Sequence, residues 1–262
     1  MGNILDTIAE ATKERVAESK KNIDFAQMRR DAEEMDANTG FPFTKALEMP
    51  GMSFICECKK ASPSKGLIAE HFPYVDIAKE YEAAGASCIS VLTEPKWFLG
   101  SNAYLKEITD AVKIPCIRKD FTVDEYMIYE AKTLNASAVL LICSILSKAQ
   151  LKEYHDIASS LGLSAIVETH DEAEMEMAID IGAKIVGVNN RNLKDFSVDV
   201  GNSQRLRDMA PKEMIFVAES GIKTREDVAS LEEAGVNAVL IGETLMRATD
   251  KKAMLDYLKG IV

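Results

Sequence analysis

The sequence has few of the residues that define several common classes of protein. It contains three histidines without metal-ligand spacing, and its five cysteines are an odd number that does not suit a disulfide framework. We therefore expect no metal and a reducing compartment, the cytoplasm. No apolar run is long enough to span a bilayer, and Asp6 and Glu10 interrupt the N-terminal apolar pattern, which excludes a secretory signal.

Basic residues are also in deficit. The 31 lysines and arginines face 42 aspartates and glutamates, and the net charge is −11. Neither nucleic acid nor an anionic membrane surface is therefore an expected partner, and an anionic small molecule would need a local basic site. The sequence leaves the oligomeric state open, with a monomer as one outcome. The 262 residues, 47% of them apolar, allow a single large domain.

Short apolar runs alternate with amphipathic segments from Ser53 onward. Gly or Asn ends several of those segments, as in Ala-Gly-Ala-Ser before Cys88 and Ala-Gly-Val-Asn before Ala238. Because this joint recurs at alternate units, we expect a cyclic array: an α/β fold with a (β/α)8 TIM barrel over 51–262 and an N-terminal helical extension over 1–50, packed as one domain. The eight runs that we predict to be strands are 54–58, 88–92, 116–118, 138–142, 165–167, 185–188, 215–218 and 238–241.

Polar or ionisable residues follow many of these runs, whereas the opposite ends read Gly-Ala, Ile-Pro or Val-Asn. In a barrel the carboxyl ends of all strands meet at one rim, so this asymmetry predicts a functional site there. Glu57 and Lys59 are two residues apart on the first strand and share a face. The ionisable residues expected to point into the same mouth are Glu57, Lys59, Lys119, Glu168 and Glu219.

Lysines that lie near one another and are partly desolvated should have lowered pKa values, which suits a proton donor. The glutamates would act as bases or simply as ion-pair partners. Small residues at Ser220-Gly221 and Gly242-Glu243 place backbone N–H groups where such barrels bind phosphate, and Lys59 could add positive charge.

For the cysteines and histidines we expect structural roles rather than catalytic ones. We interpret Cys56 and Cys58 as packing residues that face the helices. His71, His155 and His170 are expected to face solvent or cap helices. The polar residues 62–66 predict a mobile loop over the mouth.

Seven motifs in order lie at the ends of the predicted strands: E-C-K-K-A-S-P-S-K-G, L-T-E-P-K-W-F-L-G-S, R-K-D-F, V-E, V-N-N-R-N-L, A-E-S-G-I and L-I-G-E-T-L-M-R. Together they resemble the indole-3-glycerol-phosphate synthases of tryptophan biosynthesis. The resemblance implies a metal-free and cofactor-free lyase. Its substrate would be 1-(2-carboxyphenylamino)-1-deoxyribulose 5-phosphate, converted to indole-3-glycerol phosphate with release of carbon dioxide and water.

The resemblance also implies roles for individual residues. Lys119 would be the general acid, Glu168 the acid/base residue of dehydration, and Lys59 an assistant or second proton donor. Glu57 and Asn189 would orient Lys119 and the substrate hydroxyls. The remaining implied contacts are Glu219 as a further carboxylate, Ser62 and Arg191 at the substrate carboxylate, Phe98, Leu92, Phe121 and Leu140 around the aromatic ring, and Ser220, Gly221, Gly242 and Glu243 at the phosphate.

Three alternatives remain open from the residues alone. A phosphoribosylanthranilate isomerase type of barrel would resemble a Cys base with an Asp acid, whereas Cys56 and Cys58 are expected to face outward. A Schiff-base aldolase could use Lys119. A catalytically inactive binding barrel would have no need to bury lysines and glutamates at its rim.

Overall fold

Eight parallel strands close into a barrel in the computed structural model, which describes residues 4–192 and 196–261. The predicted (β/α)8 barrel is confirmed. Its strands are β1 (Ser53–Cys58), β4 (Cys88–Leu92), β5 (Cys116–Lys119), β6 (Ala138–Ile142), β7 (Ser164–Thr169), β8 (Ile185–Asn189), β9 (Ile215–Glu219) and β10 (Ala238–Ile241). A small antiparallel hairpin, formed by β2 (Ala61–Ser62) and β3 (Gly66–Leu67), was not predicted.

Three helices precede the barrel: α1 (Ile4–Asn22), α2 (Phe25–Glu33) and α3 (Pro42–Leu47). The others follow the strands as α4 (Tyr74–Ala83), α5 (Asn102–Ala111), α6 (Tyr126–Thr133), α7 (Lys148–Ser160), α8 (Glu172–Asp180), α9 (Gly201–Arg207), α10 (Arg225–Glu233), α11 (Glu243–Arg247) and α12 (Lys251–Lys259). Among the described helices, none combines the length and the apolar content needed to cross a bilayer.

The strands are short apolar runs because both of their faces are covered. Ile55, Ile117 and Ile166 belong to a cluster inside the barrel, whereas Cys56 and Cys58 pack in the layer between strands and helices. This is the pattern expected of parallel strands buried on both sides. The barrel closes where β1 pairs with β10.

Helix α3 closes the amino-terminal end of the barrel. Its Phe43 and Leu47 are buried with the interior apolar cluster. The Thr44 hydroxyl lies 2.7 Å from the hydroxyl of Ser164, the first residue of β7, and Ser53 Oγ at the start of β1 donates to the Ala46 carbonyl. The carboxyl ends of the strands are therefore the ends available to a ligand.

We expect Phe43→Ala to lower the free energy of unfolding by about 3–5 kcal/mol, because the truncation leaves a cavity in a fully buried position. Urea unfolding measures the loss. The half-buried Phe72, which contacts Tyr74 and Tyr104 outside the barrel, provides the control variant Phe72→Ala with a smaller expected loss. An equal loss in both variants would contradict a structural role for the α3 closure.

Candidate active site

A cavity of about 730 Å³ opens at the carboxyl ends of the strands. This volume lies within the range of small-molecule sites. Every residue predicted above to form the site lines this cavity. The V-N-N-R-N-L motif reaches the cavity through Asn189 and Arg191, whereas its last residue, Leu193, lies outside the described residues.

Lys119, the last residue of β5, is the centre of the charged cluster. Its Nζ lies 3.0 Å from Glu219 Oε2 and 3.4 Å from Glu168 Oε2. Burial alone would lower the pKa of Lys119, but the carboxylates of Glu219, Glu168 and Glu57 raise it above its ordinary value. The prediction of a lowered lysine pKa was therefore wrong, because three glutamates rather than a second lysine determine the local charge.

The two glutamates beside Lys119 differ in proton affinity. For Glu168, burial opposes ionisation, but Lys119, His170 and Asn189 favour the anion and hold the pKa well below its usual range. For Glu219, burial and the charges of Glu168 and Glu57 prevail over Lys119 and raise the pKa to about 7. Carboxyl groups whose pKa values are pushed apart in this way can take different roles in proton transfer.

Glu57 pairs with its neighbour on the same strand. Its Oε1 lies 2.8 Å from Lys59 Nζ, and its Oε2 accepts a hydrogen bond of 3.0 Å from Ser90 Oγ on β4. Asn189 Nδ2 donates to Glu168 Oε1 over 3.3 Å. The direct contacts of Lys119 come from Glu219 and Glu168, and the orienting roles that the resemblance implies for Glu57 and Asn189 stay predictions.

Two glycines make room for these buried carboxylates. A Cβ atom on Gly187, in β8, would collide with Glu219 Oε1 and Ile166 Cγ2. A Cβ atom on Gly242 would lie 2.7 Å from Glu57 Oε1. Gly242 was predicted to serve a phosphate, and the structure gives it this second reason to lack a side chain.

The predicted phosphate residues lie together at one end of the cavity. Ser220 and Gly221 both have positive φ, 68° and 86°, a conformation that non-glycine residues rarely adopt. Glu243 Oε1 accepts a hydrogen bond of 3.0 Å from Arg247 Nε and lies 3.9 Å from Lys65 Nζ. The Glu243 carboxylate is thus paired with two cations. Arg247 and Lys65 add positive charge to the phosphate end of the cavity, which was not predicted.

Apolar residues form the opposite wall. The rings of Phe98 and Phe121 lie 6.1 Å apart, and Leu92 and Leu140 line the same cavity. The carboxylate of Glu94 fixes the loop that carries Phe98, since it accepts hydrogen bonds from the backbone N–H groups of residues 96, 97 and 98. This anchoring role was not predicted.

Helix α1 contributes to the site, although its sequence showed no chemistry. Its residues Ile4, Leu5 and Ile8 line the cavity. Farther along, Arg15 Nη2 donates over 2.7 Å to Asp120 Oδ1, and Asp120 directly follows Lys119. An amphipathic pattern reveals that a helix has an apolar face but not which surface that face covers, so no sequence signal could have found this wall.

The prediction for His170 was wrong. It is neither solvent-facing nor a helix cap: its Nε2 lies 3.4 Å from Glu168 Oε1, and its Nδ1 lies 3.0 Å from Glu174 Oε2. His71 is exposed as predicted, whereas the prediction was also wrong for His155, which lies in the middle of α7 with 18% of its side chain exposed. The signal that was available for His170 is its spacing of two residues from Glu168.

Nothing in the described part of the chain groups three or more metal-ligating side chains. Cys56 and Cys58 are buried on the outer side of β1, as predicted, and burial raises the pKa of Cys56 to about 12. Neither thiol can serve as a base in the cavity, which argues against the isomerase alternative.

Fold and site together define an acid–base enzyme built on a (β/α)8 barrel. The sequence profile described as "Indole-3-glycerol phosphate synthase" matches residues 5–258. The chain belongs to this family, whose members are decarboxylating lyases of tryptophan biosynthesis.

Curated relatives agree over the full length. An indole-3-glycerol phosphate synthase from Ruminiclostridium cellulolyticum is 56% identical over 98% of this chain and 99% of its own. One from Lachnoclostridium phytofermentans is 50% identical over 99% of this chain and 100% of its own. Among solved structures, thiamine phosphate pyrophosphorylase from Pyrococcus furiosus has a TM-score of 0.60 at 15% identity and covers 80% of this chain and 94% of its own, a likeness of fold alone.

We expect Gly187→Ala to lower kcat/KM by about 100-fold or more, because the added methyl group displaces the Glu219 carboxylate from Lys119 and misplacement of a catalytic group is costly. Steady-state kinetics measures the effect. Gly182→Ala is the matched control, since a Cβ there has no neighbour within 4 Å but does occupy a positive φ. It should cost stability and leave kcat/KM unchanged, and equal activity of the two variants would count against the space requirement.

Proposed function

We propose that this chain forms indole-3-glycerol phosphate with Lys119 as its general acid and Glu168 as its acid/base residue. The reaction closes the indole ring of 1-(2-carboxyphenylamino)-1-deoxyribulose 5-phosphate and releases carbon dioxide and water. The observation that carries these roles is the placement of the Lys119 ammonium between Glu168 and Glu219, at 3.4 and 3.0 Å, in a cavity that also has an apolar wall.

Lys119 suits the first step. When the aromatic carbon attacks the substrate carbonyl, negative charge develops on the carbonyl oxygen, and an adjacent ammonium stabilises and then protonates it. The raised pKa of Lys119 ensures that the proton is present at neutral pH. Burial strengthens the electrostatic effect of the ammonium, because little water competes with it.

Glu168 and Lys59 suit the later steps. Loss of carbon dioxide and then of water requires a base that removes a proton and an acid that assists the leaving hydroxyl group. Glu168 is held as an anion and can accept the proton. Lys59, oriented by its 2.8 Å ion pair with Glu57, is the second proton donor. Glu219, with its pKa near 7, buffers the charge of Lys119 as protons move.

The remaining residues bind the substrate. Ser62 and Arg191 hold its carboxylate, while Phe98, Leu92, Phe121 and Leu140 surround its aromatic ring. Ser220, Gly221, Gly242 and Glu243 receive the phosphate through their backbone N–H groups, with Lys59 adding positive charge. The lining of a single cavity by all of these residues supports the assignment.

We further propose that the enzyme acts in the cytoplasm as a monomer in which residues 1–50 and 51–262 form one domain. The five cysteines are free thiols, which suits a reducing compartment. Among the described residues, large exposed apolar side chains such as Ile23, Met49 and Tyr257 come from parts of the chain that are distant in sequence. The contacts of α1 and α3 with the barrel support a single domain.

We expect Lys119→Met to lower turnover by several orders of magnitude while the protein remains folded, because the variant keeps the length of the side chain and lacks its proton and charge. The fluorescence of the indole product measures turnover. Lys60→Met is the control and should keep its activity, because Lys60 follows Lys59 in the sequence but does not line the cavity. Near wild-type turnover of Lys119→Met would refute the mechanism, and borohydride trapping on Lys119 would favour a Schiff base instead.

The hairpin turn at residues 62–66 is proposed as a mobile cover. Ser62, Pro63, Ser64 and Lys65 line the cavity, and the Lys65 side chain is 47% exposed. We expect saturating product to slow tryptic cleavage after Lys65 by about tenfold or more, because cleavage requires local opening that a bound ligand opposes. Cleavage after the exposed Lys212 serves as the control. Equal cleavage rates at Lys65 with and without product would exclude a cover.

A further inference from the structure

A carboxylate and an imidazole lie in a row behind the carboxylate of Glu168, the proposed acid/base residue. Glu174 Oε2 on α8 lies 3.0 Å from His170 Nδ1, and His170 Nε2 lies 3.4 Å from Glu168 Oε1. The side chains of all three residues are largely buried, with 15% of Glu174, 17% of His170 and 4% of Glu168 exposed. The row connects the outer layer of the barrel to the reacting carboxylate.

The backbone of His170 is fixed on both sides. Its N–H donates over 2.8 Å to Glu174 Oε2, the oxygen that also meets its ring, and its carbonyl accepts a hydrogen bond of 3.2 Å from Asn202 Nδ2. Glu174 is itself placed by the cap of α8, where Asp171 Oδ1 accepts from the Glu174 N–H. A ring that is anchored at its backbone and at Nδ1 has little freedom to turn Nε2 away from Glu168.

His170 Nε2 is buried and finds no aligned hydrogen-bond partner among the described residues. The atom that it approaches, Glu168 Oε1, also receives the Asn189 amide, while Glu168 Oε2 faces Lys119. A buried, unpaired ring nitrogen is costly, and the nearby anion is the feature of this structure that offsets its cost.

From this arrangement we infer that His170, anchored by Glu174, is a positioning residue that holds the Glu168 carboxylate ionised and oriented for proton transfer. The inference rests on the role proposed above for Glu168. His170 does not line the cavity and so acts on the reaction through Glu168. Glu174 supports this role of His170, because its carboxylate keeps the imidazole both in place and charged.

The surrounding charges agree with this role. Burial would lower the pKa of His170, but the Glu168 and Glu174 carboxylates raise it to about 10. Glu168 is faced by Lys119 from β5, by Asn189 from β8 and by the carboxyl group of Glu219 from β9. Of these neighbours Lys119 must surrender its proton during the reaction. His170 is the cation that can remain charged throughout.

The pH dependence of kcat tests the inference. Removal of the imidazolium raises the pKa of Glu168 from its lowered value, and since Glu168 works as an anion, the acid limb that Glu168 sets should move to higher pH, whereas a step near pH 7 set by Glu219 should stay in place. For His170→Gln, which keeps a donor but loses the charge, we expect a shift of about one pH unit with kcat at the optimum largely retained. For His170→Ala, which loses both, we expect the same shift and about a tenfold fall in kcat. KM should change little in either variant.

Two matched variants complete the test. Glu174→Gln removes one of the two carboxylates that keep His170 charged, so the acid limb should move in the same direction by less. His155→Gln changes a partly buried histidine on α7 and should leave the profile unchanged. An acid limb that stays in place in His170→Gln, or that moves equally in His155→Gln, would overturn the inference.

A readout without turnover separates this inference from the proposed function. In protein labelled with ¹⁵N-histidine, the His170 ring should remain an imidazolium above pH 8, and in Glu174→Gln it should titrate at lower pH. A neutral His170 ring at pH 7 in the wild-type protein refutes the inference whatever the kinetics show. If Glu168→Gln instead keeps full turnover, the role of Glu168 fails, while the titration still reports on the contact.

Discussion

The ammonium group of Lys119 is the contact on which the active site depends. As whole residues, Glu168 and Glu219 are 3% and 2% exposed, and burying two carboxylates side by side costs several kcal/mol unless a cation compensates for them. Lys119 touches both and lowers the pKa of each, but it prevails over burial only at Glu168, whereas burial and the charges of Glu168 and Glu57 raise the pKa of Glu219 to about 7. The shared cation allows both glutamates to be buried, and their other neighbours give them different pKa values.

The second constraint is the space that the buried carboxylates need, and glycines provide it. The interior of an eight-stranded barrel is just wide enough for its own side chains, so a long carboxylate that points inward needs a gap on a neighbouring strand. Gly187 on β8 provides that gap for Glu219, and Gly242, which follows β10, provides it for Glu57. The buried carboxylates of Glu219 and Glu57 therefore depend on Gly187 and Gly242 for space.

Much of this arrangement could be predicted from the sequence. The strands can be recognised in the sequence because buried parallel strands are apolar runs. The site at their carboxyl ends can be recognised because polar residues follow many of these runs. The pairing of charges could not be predicted, since it depends on side-chain rotamers and on the register across β5, β7 and β9. The sign of the Lys119 pKa shift was missed for that reason. The role of α1 was missed because an amphipathic pattern does not show which surface its apolar face covers, and that of His170 because its spacing of two residues from Glu168 was the single signal.

The closing register between β1 and β10 has a consequence for the order in which the chain becomes ordered during synthesis. Strand β1 is made early, yet one of its edges has no partner until β10 follows near the end of the chain. Helix α3, likewise, reaches Ser164 of β7 and cannot seal the barrel before that strand exists. Contacts so distant in sequence make barrel closure a late and slow event, during which open strand edges are exposed to other chains. By contrast, Arg15 of α1 finds Asp120 in the first half of the chain, so this contact can form before the barrel closes.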